Sequence, residues 1–261
     1  MTYVLAASAE MLFTDLPFVE RVRAIHARGL GVEIWNWTTK DLDELAATGA
    51  NFTSMTGYIE GDLLEEDGIA RFLETAEQSI VASRIINADR LNVHGTGLDG
   101  NGQAIRPRES VTAAERSTAR STLSRLADLG AKHGAVFMLE NLNLAVDHPG
   151  TPFARAEHTI ELVSSIDNPH LQLNLDLYHA QIGEGNLVEL VRQALPWIGE
   201  IQVADVPGRQ EPGTGEINFS RIARELDALG YDRVVGLEGW ASGDSNVALD
   251  AFVGAFTTKS A

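Results

Sequence analysis

The sequence contains no cysteine among its 261 residues. This absence excludes disulfide bonds, zinc sites built from thiolates and a cysteine nucleophile. A metal ion in this protein must therefore be held by oxygen or imidazole ligands.

Basic side chains are scarce as well. The chain has 20 Lys and Arg against 37 Asp and Glu, which gives a formal net charge of −17 at pH 7. A charge of this sign repels phosphate backbones and anionic membranes. We therefore expect neither nucleic acid nor a membrane as a partner, and most of the acidic side chains are expected to serve solubility.

Long apolar runs are also missing. No stretch approaches the roughly 20 apolar residues that a membrane-spanning helix needs. The N-terminal segment "MTYVLAASAEMLF" lacks a basic region, and Ser8 and Glu10 interrupt it too early for a secretory signal. With 44% hydrophobic and 22% charged residues, the composition is typical of a soluble enzyme. We expect a cytoplasmic protein.

Eight shorter apolar runs are present, and each is followed by a stretch with helical spacing, several of which end on glycine. The runs are residues 3–8, 31–35, 51–58, 90–95, 135–141, 171–178, 200–205 and 233–240. Their continuous apolar character is typical of parallel strands covered on both faces. Eight strand and helix units in about 250 residues favour an α/β fold of the (β/α)8 TIM-barrel type.

The chain lacks a linker rich in proline and serine, so we expect residues 1–261 to form a single domain. An open, doubly wound sheet stays an alternative, because periodicity cannot establish that a sheet closes. The sequence has no GxGxxG segment after an early strand, which makes this alternative weaker.

Polar side chains recur where the last five predicted strands end. They are His94, Glu140, Asp176, Gln202 with Asp205 after it, and Glu238. Any one of these acids alone would be expected to cap a helix or to form a surface ion pair. In a barrel, however, the carboxyl ends of the strands meet at one rim, so these side chains are predicted to converge. His179, three residues after Asp176, is expected on the loop beside it.

Three carboxylates at one partly dehydrated rim would repel one another unless a cation compensates them. A divalent metal ion bound by Glu140, Asp176, Gln202 and Glu238 resolves this conflict. Oxygen ligands favour Mn²⁺ or Mg²⁺, with Co²⁺ or Zn²⁺ as alternatives.

Five segments carry a resemblance to a known family that runs nearly from end to end. They are "SAEMLFTDLPFVERVRAI", "MLEN", "NLDLYHAQ", "IQVADVPGRQEPGTGEINF" and "GLEGW". In these segments the chain resembles the xylose isomerase-like TIM-barrel superfamily, and within it the branch of hydroxypyruvate isomerases and 2-oxo-tetronate isomerases. The segment that contains Arg209 is the most specific of the five.

The resemblance implies a metal-dependent isomerase that moves a proton between adjacent carbons through a cis-enediolate. Hydroxypyruvate and tartronate semialdehyde, or a related 2-oxo acid, would be the substrate pair. Glu140 and Glu238 would then transfer the proton as well as bind the metal, and His179 and Arg209 would contact the substrate. Gln202 stands where ketose 3-epimerases of this superfamily commonly have His, which favours the hydroxypyruvate branch.

Other assignments stay open at this stage. His94 is expected either to bind a substrate hydroxyl or to be structural, and Trp35 and Trp37 either wall the pocket or pack behind it. The glycine-rich residues 94–102 are predicted to form a mobile loop over the site. His148 is expected to have no role in the site.

Three rival functions accompany the isomerase prediction. A ketose 3-epimerase would use the same metal and glutamates. A nuclease of the endonuclease IV kind would need more strand-end histidines and a basic groove, and a barrel without activity would not need the two glutamates. We expect a small-molecule substrate as the partner, and a homo-oligomer is compatible with the sequence.

Overall fold

Eight parallel strands close into a barrel in which each strand pairs with its neighbours in the sequence and β1 pairs with β8. The computed structural model describes residues 3–88 and 90–257. The strands are β1 Val4–Ser8, β2 Gly31–Ile34, β3 Phe52–Thr56, β4 Arg90–Val93, β5 Val136–Glu140, β6 Leu171–Asp176, β7 Ile198–Val203 and β8 Val234–Leu237. The predicted (β/α)8 TIM-barrel fold class is confirmed.

Helices follow the strands and surround the barrel. They are α1 Phe18–Ala27, α2 Leu42–Ala46, α3 Glu66–Ile86, α4 Ala113–His133, α5 Ala156–Ile166, α6 Leu177–Gly183, α7 Leu187–Ala194, α8 Phe219–Ala228 and α9 Ser245–Phe256, with 3₁₀ turns at Trp37–Thr39 and Leu195–Trp197. Within residues 3–88 and 90–257, no helix combines the length and the apolar character needed to cross a membrane.

Helix α4 shows how the local sequence sets the two ends of a helix. Thr112 caps α4 through the backbone N–H of Glu115, and the Glu115 side chain in turn accepts from the N–H of Thr112. This reciprocal pair satisfies two donors that the first helical turn leaves free. At the other end, Gly134 adopts φ of 72°, the left-handed conformation that glycine takes without strain.

Apolar residues fill the layer between the sheet and the helices, where Phe72, Phe137 and Phe252 are fully buried. Several buried polar residues make contacts inside the barrel. Ser54 Oγ donates to Glu200 Oε1 across the interior at 3.0 Å, and Gln202 Nε2 donates to Glu33 Oε2 at 3.2 Å. The predicted apolar runs at residues 31–35 and 200–205 therefore each carry an acid into the barrel.

Glu33 and Glu200 form a buried carboxyl pair within hydrogen-bonding contact. The pair fits because β8 has glycine opposite it: a Cβ on Gly236 would lie 1.7 Å from Glu33 Oε1. Burial is the main reason why the pKa of Glu200 rises to about 7, and burial and the Glu200 charge raise the pKa of Glu33 well above its ordinary value. One of the two carboxyls is therefore protonated at neutral pH.

Because folding raises the pKa of Glu200, we expect the free energy of unfolding to fall as the pH rises. Glu200 binds its proton more tightly in the folded than in the unfolded chain, so its stabilising effect is complete below pH 4.5 and is lost as the pH rises through about 7. Replacement by Gln keeps an acceptor for Ser54 and supplies a donor to Glu33. We expect Glu200→Gln to raise the melting temperature at pH 8 by about 3 °C, with a smaller gain at pH 5.

Thermal unfolding at the two pH values checks this expectation. Glu161→Gln, on the exposed face of α5, removes one carboxylate from the surface and serves as the matched control. Equal changes in melting temperature for Glu200→Gln at both pH values would contradict the assignment of a shared proton to the pair.

Candidate active site at the carboxyl ends of the strands

Glu140, Asp176 and His179 meet at the carboxyl end of the barrel. Each offers one potential ligand atom, and these atoms all lie within 4.8 Å of one another. Glu140 and Asp176 are the last residues of neighbouring strands β5 and β6. The three side chains are buried, so the group could hold a metal ion in a partly dehydrated site.

Glu238 and Arg209 complete the charged part of the site. Glu238 follows β8 directly, and its Oε2 accepts from Arg209 Nη2. The same guanidinium nitrogen lies 3.8 Å from Asp176 Oδ2. Two of the three buried carboxylates therefore share one cation, and the set keeps a negative balance when all three are ionised.

The donor set fits a divalent cation. Among the described residues, neither Asp176 Oδ2 nor His179 Nε2 has a hydrogen-bond partner, although both atoms are buried. A buried carboxylate oxygen without a donor is costly, and a cation is the partner that would compensate it. Carboxylate oxygens are also the ligands that hard divalent ions prefer.

Gln202 lies beside this group. It is the register neighbour of Asp176 across β6 and β7. Its Oε1 accepts from Asn174 Nδ2 at 2.6 Å, while its Nε2 donates to Glu33 Oε2 at 3.2 Å. The amide is thus oriented by the polar interior of the barrel, with its oxygen facing Asn174 and the strand that carries Asp176.

The two glutamates of the site have opposite pKa shifts. Burial by itself raises the pKa of Glu140, but the hydrogen bond and charge of His94 outweigh burial and hold this pKa below its ordinary value. Burial raises the pKa of Glu238, an effect that Arg209 only partly offsets. Burial likewise raises the pKa of Asp176 well above its ordinary value. The carboxylate form is therefore favoured at Glu140 more than at its neighbours.

His94 connects Glu140 to a buried tyrosine. Tyr58 donates its hydroxyl proton to the backbone oxygen of Thr96 at 2.7 Å, and His94 Nδ1 lies 3.1 Å from the same hydroxyl. His94 Nε2 lies 3.0 Å from Glu140 Oε2, and Asn92 Nδ2 donates to the same oxygen. His94 thus holds Glu140 and also lines the cavity.

The expected placement of His179 on a loop is wrong. Helix α6 begins at Leu177, immediately after β6, and His179 is a fully buried residue of its first turn. Asp176 caps this helix, because its Oδ1 accepts from the His179 N–H at 2.9 Å. Aspartate is a preferred N-cap residue, and its side chain reaches the third helical residue. The D-x-x-H spacing is therefore the spacing of a helix cap.

Asp205 organises the loop that presents Arg209 rather than the site itself. It is buried, and its two carboxylate oxygens accept from four backbone N–H groups, those of Val206, Gly213, Gly215 and Ile217. This loop places the guanidinium group of Arg209 over the ring of Tyr178, with the guanidinium carbon 5.1 Å from the ring centre.

A cavity of about 560 Å³ opens above these residues. Its volume suits a small molecule. Trp35, His94, His148, Arg209 and Trp240 contribute to its wall.

Trp35 and Trp37 have different positions, one in the wall of the cavity and the other behind it. Trp35 walls the cavity and donates from Nε1 to Glu238 Oε1 at 2.7 Å. Trp37 packs against the apolar layer and donates to Ser79 Oγ at 3.0 Å.

His148 corrects a second expectation, because it lines the cavity. Its Nδ1 lies 2.6 Å from the backbone oxygen of Gly102, so it fastens residues 98–102 over the site. The position of His148 in the loop after β5 was the available signal, since loops at this end of a barrel form the site. Asn92, Tyr58 and Asn143 were missed because their roles depend on contacts with residues that are distant in the sequence.

Comparisons with known proteins identify the family and the fold. The family model described as "Xylose isomerase-like TIM barrel" matches residues 17–252. A 2-oxo-tetronate isomerase of Pectobacterium atrosepticum is 31% identical over 260 residues, covering 89% of this chain and 90% of that protein. A putative hydroxypyruvate isomerase of Danio rerio is 29% identical over 260 residues, covering 94% and 92%.

Solved structures share the fold. An AP endonuclease, family 2, from Brucella melitensis superposes with a TM-score of 0.84 and 25% identity, covering 96% of this chain and 98% of that one. A D-psicose 3-epimerase from Clostridium cellulolyticum H10 has a TM-score of 0.78 at 15% identity, covering 99% of this chain and 100% of that one. The second likeness concerns the barrel alone.

Proposed function

We propose that this chain, which belongs to the xylose isomerase-like TIM-barrel family, is an isomerase of small 2-oxo acids. The substrate pair would be hydroxypyruvate and tartronate semialdehyde or a related 2-oxo acid, interconverted by proton transfer through a cis-enediolate. The names of the relatives from Pectobacterium atrosepticum and Danio rerio support this substrate class.

The observation that carries the proposal is the pair Glu140 and Glu238. The two side chains stand at the ends of β5 and β8, both buried, with pKa values that are shifted in opposite directions. A pair of carboxyls whose environments separate their pKa values is suited to act as base and acid. We assign Glu140 as the base that removes the carbon-bound proton, and Glu238 as the acid that supplies a proton to the neighbouring carbon or oxygen.

Neighbouring side chains prepare both glutamates for these roles. Asn92 and His94 contact Glu140 Oε2. The other oxygen, Oε1, faces His179 Nε2. Trp35 and Arg209 hold the two oxygens of Glu238. In the proposed reaction Arg209 also orients the substrate, since its planar group suits a carboxylate.

Glu140, Asp176, Gln202 and Glu238 are the residues that we propose to hold a divalent ion. When bound, such an ion acts as a Lewis acid that polarises the substrate carbonyl, a contribution of several kcal/mol. Oxygen ligands favour Mn²⁺ or Mg²⁺ over softer ions, and Co²⁺ or Zn²⁺ are substitutes.

A proton-exchange assay tests the proposed function. The purified protein, supplied with Mn²⁺, is incubated in ²H₂O with hydroxypyruvate, 2-oxo-tetronate, pentuloses or hexuloses, and deuterium at each carbon is followed by NMR. We expect exchange with the 2-oxo acids, at the carbon next to the carbonyl. Exchange confined to carbon 3 of a ketose would replace this proposal by the 3-epimerase alternative, and exchange with none of them would contradict an isomerase altogether.

A nuclease is a weaker alternative. The net charge of −17 opposes a DNA backbone, and the cavity suits a small molecule rather than a groove.

A further inference from the structure

The buried ring of His179 raises a question about its role in the site. Its Nε2 points into the acidic cluster, which consists of Glu140, Asp176 and Glu238. This nitrogen lies 3.8 Å from Glu140 Oε1 and 3.7 Å from Asp176 Oδ2. An imidazole nitrogen with a lone pair there could bind a metal, whereas a nitrogen that carries hydrogen could only donate a hydrogen bond. The position of one proton therefore decides which role His179 has.

Asn143, in the loop after β5, faces the other nitrogen of the ring. Its Oδ1 accepts from the backbone N–H groups of Val146 at 2.9 Å and Asp147 at 3.1 Å. Backbone N–H groups can only donate, so the amide oxygen must face them and the amide nitrogen must face His179. The orientation of the Asn143 amide is thereby fixed.

The two hydrogens of this amide nitrogen are both used. One goes to Asp147 Oδ2 at 2.6 Å and the other to His179 Nδ1 at 2.8 Å. Nδ1 therefore accepts, and a neutral ring must carry its hydrogen on Nε2. A protonated ring would carry a hydrogen on Nδ1 that faces the amide hydrogen of Asn143, so this contact requires the neutral ring.

Packing holds the ring in this orientation. The rings of His148 and Tyr178 both lie 5.1 Å from the His179 ring, each in an edge-on arrangement. His179 is fully buried, and its backbone N–H is bound to Asp176. A 180° flip of the ring would put Cδ2 in place of Nδ1, so it would break the contact with Asn143 and disturb the packing against His148 and Tyr178.

We propose that Asn143 is a positioning residue that keeps His179 in the tautomer with hydrogen on Nε2. In that state His179 is not a metal ligand; it donates a hydrogen bond from Nε2 to the substrate oxygen that becomes negative during proton transfer. Such a neutral donor, fixed before the substrate arrives, stabilises developing charge without reorganisation. The assignment of the substrate oxygen rests on the proposed function, whereas the tautomer does not.

Nitrogen NMR of the full-length protein with ¹⁵N-labelled imidazole rings tests the tautomer directly. The signals of His179 are assigned by their loss in His179→Gln. At neutral pH we expect Nε2 to carry hydrogen and Nδ1 to carry a lone pair. Hydrogen on Nδ1 in the wild-type protein would overturn the proposal, whatever the substrate proves to be.

Asn143→Asp provides the complementary test, because a carboxylate cannot donate to Nδ1. We expect the hydrogen of His179 to move to Nδ1 and the kcat for proton exchange to fall about 10²-fold, the loss typical of removing one such donor. Asn168→Asp is the matched control: its side-chain oxygen accepts from the His170 N–H at 3.0 Å, before β6 and away from the site. An unchanged His179 tautomer in Asn143→Asp would contradict the proposed role of Asn143.

Metal affinity separates the two roles of His179. Titration of the metal-free protein with Mn²⁺ should give His179→Gln a Kd within about threefold of the wild-type value, since a bound donor contributes no ligand. A loss of Mn²⁺ affinity of tenfold or more would identify His179 as a ligand and overturn the proposal. Absence of proton exchange would instead contradict the proposed function, and it would leave the tautomer and Mn²⁺ results to decide this inference.

Discussion

Replacement of Glu140 by Gln is expected to reduce the rate of substrate proton exchange by about 10³-fold. Gln has nearly the same shape and keeps an oxygen that can accept from Asn92, but its amide cannot take up a proton. General acid and base catalysis by a positioned side chain contributes about 10² to 10⁴ in rate, so the loss should fall in this range. Exchange of deuterium into the substrate, measured at saturating Mn²⁺, gives the rate.

Two further variants show whether the loss of proton exchange in Glu140→Gln reflects the role of Glu140 as the base. Glu238→Gln should lower kcat as well, but it should leave a larger fraction of the exchange step, since Glu140 can still remove the proton. Glu161→Gln, which changes an exposed acid on α5, should exchange at the wild-type rate. If Glu140→Gln kept more than a tenth of the wild-type rate at full metal occupancy, Glu140 would not be the base.

The sequence predicts the barrel well because its strands are local features. The runs 135–141 and 171–178 cover β5 and β6, with errors confined to their ends. The second run extends two residues too far, because Leu177 and Tyr178 continue the apolar pattern after the chain has turned into α6. The change of direction depends on Asp176 as a cap, a contact that the periodicity of apolar residues does not reveal.

The convergence of Glu140, Asp176 and Glu238 was also predictable. Parallel strands bring their carboxyl ends to one rim, so acids at successive strand ends must meet once the sheet closes. The two acids inside the barrel were not predictable in the same way. Glu33 and Glu200 lie within continuous apolar runs, where no alternation shows which side chains face the interior.

The hydrogen-bond network around the site could not be predicted from the sequence. Tyr58 and Asn143 act through contacts with His94 and His179, 36 residues away in each case. These contacts depend on loop conformations, and the direction of each hydrogen bond depends on which atom is already committed to the backbone. A residue type at a strand end predicts a site, but the proton positions in that site require coordinates.

Asp176 has two functions that one substitution can separate. Its Oδ1 caps α6 through the His179 N–H, and its Oδ2 is a buried oxygen that faces the cluster without a hydrogen-bond partner among the described residues. Asn is as good an N-cap residue as Asp, so Asp176→Asn should retain the cap and the helix. The amide removes the charge that a divalent ion needs, and we expect Mn²⁺ affinity to fall at least about 100-fold.

Calorimetric titration with Mn²⁺ measures this loss of affinity. Thermal unfolding of the metal-free protein measures what the helix cap contributes to stability. Burial raises the pKa of Asp176 well above its ordinary value, because an ionised carboxyl there is poorly solvated. Removing that carboxyl should therefore leave the melting temperature of the metal-free protein unchanged or higher, while Asp176→Ala, which loses the cap, should lower it. Asp176→Asn should thus lose metal binding without losing stability. If Asp176→Asn bound Mn²⁺ as tightly as the wild-type protein does, the acidic cluster would not be the metal site, and the buried oxygen would need another partner.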